Sequence, residues 1–213
     1  MTVVDEQLEF LARYLPPAPA RVLDAGCGRG DLAVALRRRG YRVTAIDIDP
    51  PVDADPDVVR ADVTWFDDDP FDAVVFSLSL HHVADLAAVV TRARALTKPA
   101  GVLIVDELAW ERADRATAAW FYDTAAVLGA HPVVDDPERQ WSYRHSDEYR
   151  LHTGAAMIAA LAEVFDVVEQ EPVPYLHRYL AGWGARTPVV EQIERHRIGD
   201  RTLNAVGLRL VAG

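Results

Sequence analysis

The sequence predicts an α/β protein with an open, mostly parallel sheet. Short apolar runs of strand-forming residues alternate with helical segments, and the run Val102–Val105 is apolar on both faces, as central parallel strands are. Half of the 213 residues are hydrophobic, which is enough for one sizeable core. We therefore expect residues 1–213 to form a single domain whose ligand site lies beyond the carboxyl ends of the strands.

The chain is organised around a glycine-rich turn. The sequence predicts a helix over Val4–Leu15 and then a short strand. Three glycines at alternate positions, Gly26, Gly28 and Gly30, follow this strand and precede a helix over Asp31–Arg39. Such glycines allow positive φ angles and let a ligand approach bare backbone. A dinucleotide fingerprint would need a glycine three residues after Gly28, where this chain has Asp31, and no Gly-Lys-Ser/Thr phosphate loop follows. The ligand of this turn is therefore not expected to be a phosphate.

Acids follow the next strands. Arg42–Asp47 is a short strand whose terminal carboxylate suits the two hydroxyls of a ribose. Val58–Val63 predicts a third strand and its turn, and the apolar run that begins at Phe71 predicts a fourth. Carboxyl ends of parallel strands meet at one edge of a sheet. One shared site at that edge is expected to gather Asp24, Asp47, Asp62, Ser77 and Asp106.

Two stretches carry a family resemblance. The run from Val22 to Gly30 resembles the first motif of class I S-adenosylmethionine-dependent methyltransferases, written hydrophobic-Leu-Asp-x-Gly-x-Gly-x-Gly. The stretch from Pro70 to Val83 resembles the fourth motif of the same family. It has an acid, Asp72, at the start of an apolar strand, and small polar residues follow that strand. The resemblance covers about residues 20–107. It implies a Rossmann-like, doubly wound sheet of seven strands with an antiparallel terminal strand and a helical or lid segment inserted after the fifth strand.

The resemblance also implies a cofactor, S-adenosylmethionine, and the residues that contact it. The acid of the second strand would bind the ribose, the acid after the third strand would bind the adenine, and the fourth motif would pass under the methionine part. The residues expected to bind the cofactor are Asp24, Ala25, Gly26, Cys27, Gly28, Asp47, Ile48, Asp62, Val63, Ser77 and Leu78.

His81 and His82 are the candidate catalytic residues. A neutral imidazole can take a proton from an attacking hydroxyl or amine, because its unperturbed pKa lies near the operating pH. A histidine at this point can equally cap backbone groups or pack under the sheet, and both alternatives stay open. Some relatives that methylate quinone precursors hold a divalent metal with acids near this position, where this chain has Leu78 and His81. No metal is therefore expected.

The second half of the chain is less regular. A helix over Asp85–Leu96 ends at Lys98–Gly101, a helix is predicted over Trp110–Leu128, and an irregular run follows over His131–His145. We interpret residues 108–152 as a lid or acceptor-pocket insertion, with a dimer contact or a simple cap on the sheet as alternatives. Its candidate lining residues are Trp141, Tyr143, Arg144 and His145, and Tyr143 and His177 are further candidate bases.

A last helix and two strands complete the fold. The helix is predicted over Thr153–Val164, with Thr153 as its cap, and the strands over Phe165–Glu171 and Leu203–Val211. The long connection between these strands includes a short helix over Pro188–His196 and a segment, Pro174–Leu180, that is either part of the acceptor pocket or an amphipathic surface.

Composition bounds the partners. The formal net charge of −11 argues against nucleic acid, which normally requires a basic surface. Cys27 is the only cysteine, so no internal disulfide can form, and no signal segment or spanning apolar run appears. We expect a cytoplasmic protein without a membrane partner.

The sequence thus predicts a methyltransferase that acts on a small molecule, with no prediction of the methylated atom or of the oligomeric state. A nicotinamide-binding oxidoreductase on the same sheet topology is one alternative, which the missing fingerprint glycine disfavours. A non-catalytic protein that binds S-adenosylmethionine as a sensor is the other.

Overall fold

The computed structural model of the protein describes residues 3–181 and 187–213. Across these residues seven strands form one sheet. The strands are β1 (Arg21–Ala25), β2 (Arg42–Asp47), β3 (Val58–Arg60), β4 (Phe71–Ser77), β5 (Thr97–Leu108), β6 (Val167–Val173) and β7 (Gly207–Ala212).

Helices cover both faces of this sheet. They are α1 (Val3–Leu11), α2 (Asp31–Arg37), α3 (Leu86–Leu96), α4 (Arg115–Val127), α5 (Pro137–Ser142), α6 (Gly154–Ala162), α7 (Leu176–Ala181) and α8 (Thr187–Gly199). Single turns of 3-10 helix lie at Leu80–His82 and Trp110–Arg112, and α5 continues into a π-helical stretch over Tyr143–Glu148.

The strand order is β3-β2-β1-β4-β5-β7-β6. The first five strands pair in parallel, whereas β7 runs antiparallel to both β5 and β6. The predicted doubly wound, mostly parallel sheet with an antiparallel terminal strand is confirmed. The strand order reverses next to β1, so that the ends of β1 and β4 flank the crevice in which such sheets bind their ligands.

Successive side chains of β1 point to opposite faces of the sheet, and helices bury both faces. Val22 packs with Leu8 of α1 and Leu36 of α2 on one face, and Leu23 packs with Val89 of α3 on the other. Val22 and Leu23 are fully buried, as expected of a central parallel strand.

A further hydrophobic cluster joins α4, α5 and α7. We call it the aromatic cluster; it is defined by Phe121, Tyr122, Trp141, Tyr175 and Tyr179, whose rings meet edge to face at centroid distances of 5.1–6.4 Å. Its anchoring strand residue is the buried Leu108 at the end of β5.

Several predicted elements are corrected. The leading helix ends at Leu11, four residues early, in a turn before the prolines. The segment Lys98–Gly101, predicted to end a helix, lies within β5, because α3 passes directly into the strand at Thr97. The helix predicted from Trp110 begins at Arg115, where the Asp114 carboxylate accepts a hydrogen bond from the Thr117 amide at 2.8 Å.

The segment predicted as irregular is also corrected. Its second half is helical, because Asp136 caps α5 and Pro137 occupies the first helical turn, both of which favour a helix start. The last two strands begin later than predicted, at Val167 and Gly207. The segment Pro174–Leu180 is neither extended nor exposed, since it contains most of the buried helix α7.

Across the described ranges, none of the helices combines the length and apolar character needed to cross a bilayer.

Candidate functional site

A cavity of about 540 Å³ opens at the carboxyl ends of β1, β2 and β4. Ligand pockets in proteins commonly measure about 300–1,000 Å³. The lining residues are Ala25, Gly26, Gly28, Asp47, Ile48, Ala61, Asp62, Val63, Thr64, Phe76, Leu78, Ser79, His82, Val83, Ala84, Asp85 and Val89. The strand ends therefore meet at one site, as the sequence predicts, although not every predicted residue reaches it.

The glycine turn forms one wall of the cavity. Gly26 has φ +73°, and a Cβ atom there would lie 2.4 Å from Ser79 Cβ, so only glycine lets the turn pack against the loop after β4. Ser79 Oγ fixes this packing by donating to the Ala25 carbonyl at 2.8 Å. Gly28 has φ +54°, and a Cβ there would have no neighbour within 4 Å. Its backbone is thus open to a ligand.

Asp47 connects the glycine turn to the end of β2. Its Oδ2 accepts a hydrogen bond from the Gly28 amide at 2.8 Å, and its Oδ1 accepts from the Asp49 amide at 2.9 Å. These two backbone donors hold the carboxylate at the cavity wall, and a carboxylate can accept further hydrogen bonds at its remaining lone pairs.

The end of the cavity that is lined by residues after β2 and β3 combines apolar side chains with the polar Asp62 and Thr64. Ile48 is 65% exposed although it is a large aliphatic residue, and it lines the cavity beside Val63. Asp62 caps the turn after β3, where its Oδ1 accepts hydrogen bonds from the amide and hydroxyl of Thr64 at 2.8 and 2.7 Å. This end suits a flat ring with polar edges.

Three predicted cofactor contacts are not among the lining residues. Asp24 is 1% exposed, and its burial raises its pKa to about 7 while Arg37 opposes that shift. Cys27 is half-buried, and desolvation, with Asp24 nearby, raises the pKa of its thiol to about 12. The Ser77 hydroxyl faces α1, where it accepts a hydrogen bond from Gln7 Nε2 at 2.5 Å.

Asp106 is also corrected. It was expected at the shared site but is buried at the far side of β5, 3.2 Å from Arg178 and 3.4 Å from Arg209. Its carboxylate therefore belongs to an ion-pair network beneath α7.

The two candidate histidines occupy different environments. His82 lines the cavity, and its pKa is lowered by burial and by the adjacent His81. His81 is 3% exposed, and its Nδ1 contacts Oε2 of Glu107 on β5. The other oxygen of Glu107 accepts hydrogen bonds from the amides of Ser79 and Leu80 at 2.8 and 2.5 Å.

These contacts fix the orientation of His81. A buried carboxylate at Nδ1 holds the Nδ1–H tautomer and leaves Nε2 as the basic nitrogen. Glu107 was not a candidate in the sequence, where it is one more residue at the end of a buried strand. Its role arises only from the pairing of β4 with β5, which places Ser77 opposite Asp106 and thus brings the following loop onto Glu107.

The aromatic cluster joins the cavity through Leu78, which lines the cavity and also packs against the cluster. Within it His145 is 1% exposed, and burial lowers its pKa to about 4. Its Nδ1 lies 2.7 Å from the Trp141 carbonyl, while no partner among the described residues bonds its buried Nε2. Of the predicted insertion residues, Trp141 and His145 are thus interior, whereas Tyr143 is 53% exposed.

Sequence reasoning missed several lining residues because they carry no motif. Phe76 reaches the cavity from β4 and Val89 from α3, and the segments after β3 and β4 supply Ala61, Thr64, Val83, Ala84 and Asp85. Ser79 is the exception, since it directly follows the predicted pair Ser77 and Leu78.

Comparisons with known proteins agree with this geometry. A family model described as a methyltransferase domain matches residues 3–151. A ubiquinone biosynthesis O-methyltransferase of Xylella fastidiosa (strain 9a5c) is 36% identical over 143 residues, covering 60% of this chain and 54% of the relative. An uncharacterized methyltransferase of Mycobacterium tuberculosis (strain H37Rv) is 41% identical over 107 residues, covering 45% of this chain and 54% of the relative. The chain thus spans about half the length of the curated relatives it matches.

Solved structures share the whole fold at lower sequence identity. A putative methyltransferase from an antibiotic biosynthesis pathway of Anabaena variabilis has a TM-score of 0.64 at 16% identity, covering 98% of this chain and 96% of that one. A geranyl diphosphate C-methyltransferase of Streptomyces coelicolor has a TM-score of 0.65 at 19% identity, covering 98% and 79%. The family model extends over more than half of the chain and includes both motifs and the whole cavity wall. The chain belongs to the methyltransferase domain family.

Proposed function

We propose that this protein transfers a methyl group from S-adenosylmethionine to a small-molecule acceptor. The observation that carries the proposal is the cavity at the ends of β1, β2 and β4, where the open backbone of the glycine turn and the Asp47 carboxylate, held by the Gly28 amide, lie together beside apolar lining residues. The solved C-methyltransferase relative was crystallised with S-adenosylhomocysteine, the product of this cofactor.

The residues of the cavity fit the cofactor. Asp47, already held by two backbone amides, offers its remaining lone pairs to the ribose hydroxyls. Ile48 and Val63 would offer apolar faces to the adenine, and Asp62, which lines the same end of the cavity, would bind its edge. Gly26 and Gly28 leave room for the methionine part. Asp24, Cys27 and Ser77 would then act from behind the wall by supporting the turn and the strand ends.

The cofactor supplies a methyl group on a sulfonium, which is already an activated electrophile. The protein must mainly position an acceptor in line with that methyl group and exclude water. For an acceptor that carries a proton, the pair formed by His81 and Glu107 is the candidate base: with its proton held at Nδ1 by Glu107, the ring has its acceptor nitrogen at Nε2, and it packs against the ring of the cavity residue His82 at a centroid distance of 4.2 Å. His82, unlike His81, lines the cavity directly and is the second candidate to contact the acceptor.

The acceptor class that suits this site is a hydroxyl compound with an aromatic or otherwise flat apolar body. The His81–Glu107 pair favours an acceptor that loses a proton, and the curated relative of Xylella fastidiosa is an O-methyltransferase. Residues 108–152 supply Trp110 and Trp141 to the aromatic surroundings beyond Leu78, which supports their role as an acceptor-pocket insertion. Trp110 is partly buried and can contact a flat ring, whereas Trp141 is 1% exposed and supports the pocket from the interior.

We also propose that the protein works in the cytoplasm and does not bind nucleic acid. The single cysteine suits a reducing compartment, and the net charge of −11 would repel a polyanion.

Calorimetric titration tests the cofactor. Native protein is titrated with S-adenosylmethionine, S-adenosylhomocysteine and NADH, together with the variants Asp47→Ala and Asp49→Ala. Asp49 is the matched control, since it is an acid at the same loop but is exposed and paired with Arg60. We expect both sulfur compounds to bind native protein and Asp49→Ala, and Asp47→Ala to lose at least about tenfold in affinity, equivalent to about 1.4 kcal/mol.

Transfer of a labelled methyl group to a panel of phenols, alcohols, amines and thiols then tests the activity. Turnover on phenols supports the proposal, and turnover confined to amines or thiols would overturn the hydroxyl acceptor. Binding of NADH without binding of S-adenosylmethionine would overturn the whole proposal. Tight cofactor binding without turnover on any class would instead indicate a sensor.

A further inference from the structure

We propose that Glu6, His177 and Glu191 form a binding site for a first-row divalent metal ion, separate from the methyl-transfer cavity. The three side chains come from α1, α7 and α8, and their ligand atoms lie within 4.8 Å of one another. All three residues are buried, with exposed fractions of 4%, 0% and 8%. This inference does not depend on the proposed function.

The ring of His177 is held as a metal-binding imidazole would be. Its Nδ1 lies 2.8 Å from Oε2 of Glu194, which is 0% exposed. Glu194 cannot swing away, because it also accepts hydrogen bonds from the amides of Tyr175, Leu176 and His177 at 2.7–2.9 Å. A carboxylate at the far nitrogen is the usual outer partner of a metal-bound histidine, where it fixes the tautomer and the ring orientation.

The near nitrogen of His177 faces both oxygens of Glu6. Nε2 lies 3.1 Å from Oε1 and 3.3 Å from Oε2. A charged N–H···O hydrogen bond typically measures about 2.7–2.9 Å, the length found on the Glu194 side of the same ring. Metal–ligand bonds of about 2.0–2.2 Å place a nitrogen and an oxygen ligand about 3–3.5 Å apart across the ion. The spacing between His177 and Glu6, that of a hydrogen bond shared between two oxygens, also matches that of two ligands of one ion.

The third carboxylate has an oxygen to offer. Both guanidinium nitrogens of Arg195 that contact Glu191 bond the same atom, Oε1, at 2.7 and 2.8 Å. Among the described residues, no donor bonds Oε2, so this oxygen can face an ion. Arg178 approaches Glu6 at 3.4 Å, longer than a strong ion pair, and also contacts Asp106.

The donor set selects the kind of ion. One imidazole and two carboxylates, with no thiolate, suit Zn²⁺, Mn²⁺, Fe²⁺ or Co²⁺ rather than a soft ion such as Cu⁺. The sequence predicted no metal, because Leu78 and His81 replace metal-holding acids after β4 and one cysteine cannot form a multi-cysteine zinc site. This cluster joins residues up to 185 positions apart in the printed sequence, so no local spacing could reveal it.

The site would join α1 to α7 and α8 next to the methyl-transfer cavity. Gln7, the neighbour of Glu6, donates to Ser77 at the end of β4 at 2.5 Å. An ion held by Glu6 would therefore fix the helix that contacts this strand end. We assign it a structural role, because all its ligands are buried and the cavity lining includes none of them.

Metal titration of the full chain tests the proposal. The protein is treated with a chelator and titrated with Zn²⁺ by calorimetry and with Co²⁺ by visible absorption, without any S-adenosylmethionine. We expect one ion to bind per chain. The variant Glu191→Gln, nearly identical in shape, should weaken binding by at least about tenfold. The control His196→Asn changes an exposed histidine of the same helix and should bind like native protein.

The histidine resonances give a readout that requires no variant. Adding Zn²⁺ to native protein should shift the ring proton signals of His177 and leave those of His196 in place. The proposal is overturned if native protein binds neither ion, or if binding leaves the His177 signals unchanged. In that case a protonated His177 ring joins the carboxylates of Glu194 and Glu6 by one N–H on each side. If Asp47→Ala lost the cofactor but still bound Zn²⁺, the two sites would be shown to be separate.

Discussion

His81 and Glu107 form a buried pair that joins the loop after β4 to the end of β5. The Nδ1 atom of His81 contacts Oε2 of Glu107, while Oε1 of the same carboxylate holds the amides of Ser79 and Leu80. One side chain thus shapes the loop beside the cavity and orients the imidazole next to it. Because Glu107 has these two roles, Glu107→Gln and His82→Asn should have different effects on catalysis.

Glu107→Gln should impair proton transfer while preserving the loop. The glutamine carbonyl can still accept from the two amides, but its NH₂ group would donate to Nδ1 of His81 and so place the ring proton on Nε2. The imidazole would then lack a free basic nitrogen. We expect kcat on a hydroxyl acceptor to fall by about 10²–10⁴-fold, the usual contribution of a general base. Steady-state kinetics and calorimetric titration with S-adenosylhomocysteine measure the two effects separately.

The control for this prediction is His82→Asn, which changes the neighbouring cavity residue and leaves the pair intact. It should raise KM more than it lowers kcat. The pH dependence of kcat should be lost in Glu107→Gln and kept in His82→Asn. Equal losses of kcat in both variants, with unchanged pH profiles, would contradict a role for the pair as a base.

The cavity shows how far sequence reasoning can reach. Gly26, Gly28 and Asp47 could be placed because each lies at or just beyond the carboxyl end of a strand, and parallel strands bring these ends to one edge. Asp24 could not, because its position in the motif does not reveal which way its side chain points, and it is buried near Arg37 instead. Glu107 could not either, since its partner His81 lies 26 residues away, in the turn that follows the neighbouring strand β4.

The helical part of the fold shows a similar division. The cap residues Asp85 and Thr153 act within four residues, so the starts of α3 and α6 were predicted to within one residue. Helix α7 was missed because it is short and is stabilised from outside, by Glu194 of α8 at its amino end. Its formation depends on tertiary contacts, which local sequence patterns do not contain.

Alanine at Gly26 and at Gly28 should have different consequences. At Gly26 a Cβ atom would collide with Ser79, so we expect the free energy of unfolding to fall by about 2–5 kcal/mol from overpacking and a disfavoured φ. At Gly28 only the disfavoured φ applies, at about 1–2 kcal/mol, yet the new methyl group would enter the cavity. Urea unfolding should therefore show the larger loss of stability in Gly26→Ala. Cofactor titration should show the larger loss of affinity, relative to the stability lost, in Gly28→Ala.

Gly129→Ala is the matched control for Gly28→Ala. Gly129 has φ +69°, a Cβ there would also meet nothing within 4 Å, and it lies after α4, outside the cavity lining. It should lose the same 1–2 kcal/mol or so and bind S-adenosylhomocysteine like native protein. Weakened binding in Gly129→Ala would show that lost stability alone explains the effect at Gly28.

Asp24 should make the protein less stable as the pH rises. Burial raises its pKa from 3.8 to about 7, so between these values the folded state keeps a proton that the unfolded state has released. The free energy of unfolding must then fall with rising pH across this window, and the full cost, about 4 kcal/mol for about three pKa units, applies above pH 7.

Asp24→Asn stays neutral at every pH. Urea unfolding at pH 5 and pH 8 should show a smaller pH-dependent loss of stability in Asp24→Asn than in native protein, while Asp49→Asn, which changes an exposed carboxylate, should show the native difference. If Asp24→Asn lost as much stability between pH 5 and pH 8 as native protein, Asp24 would have to be ionised in the folded state, with Arg37 compensating the buried charge.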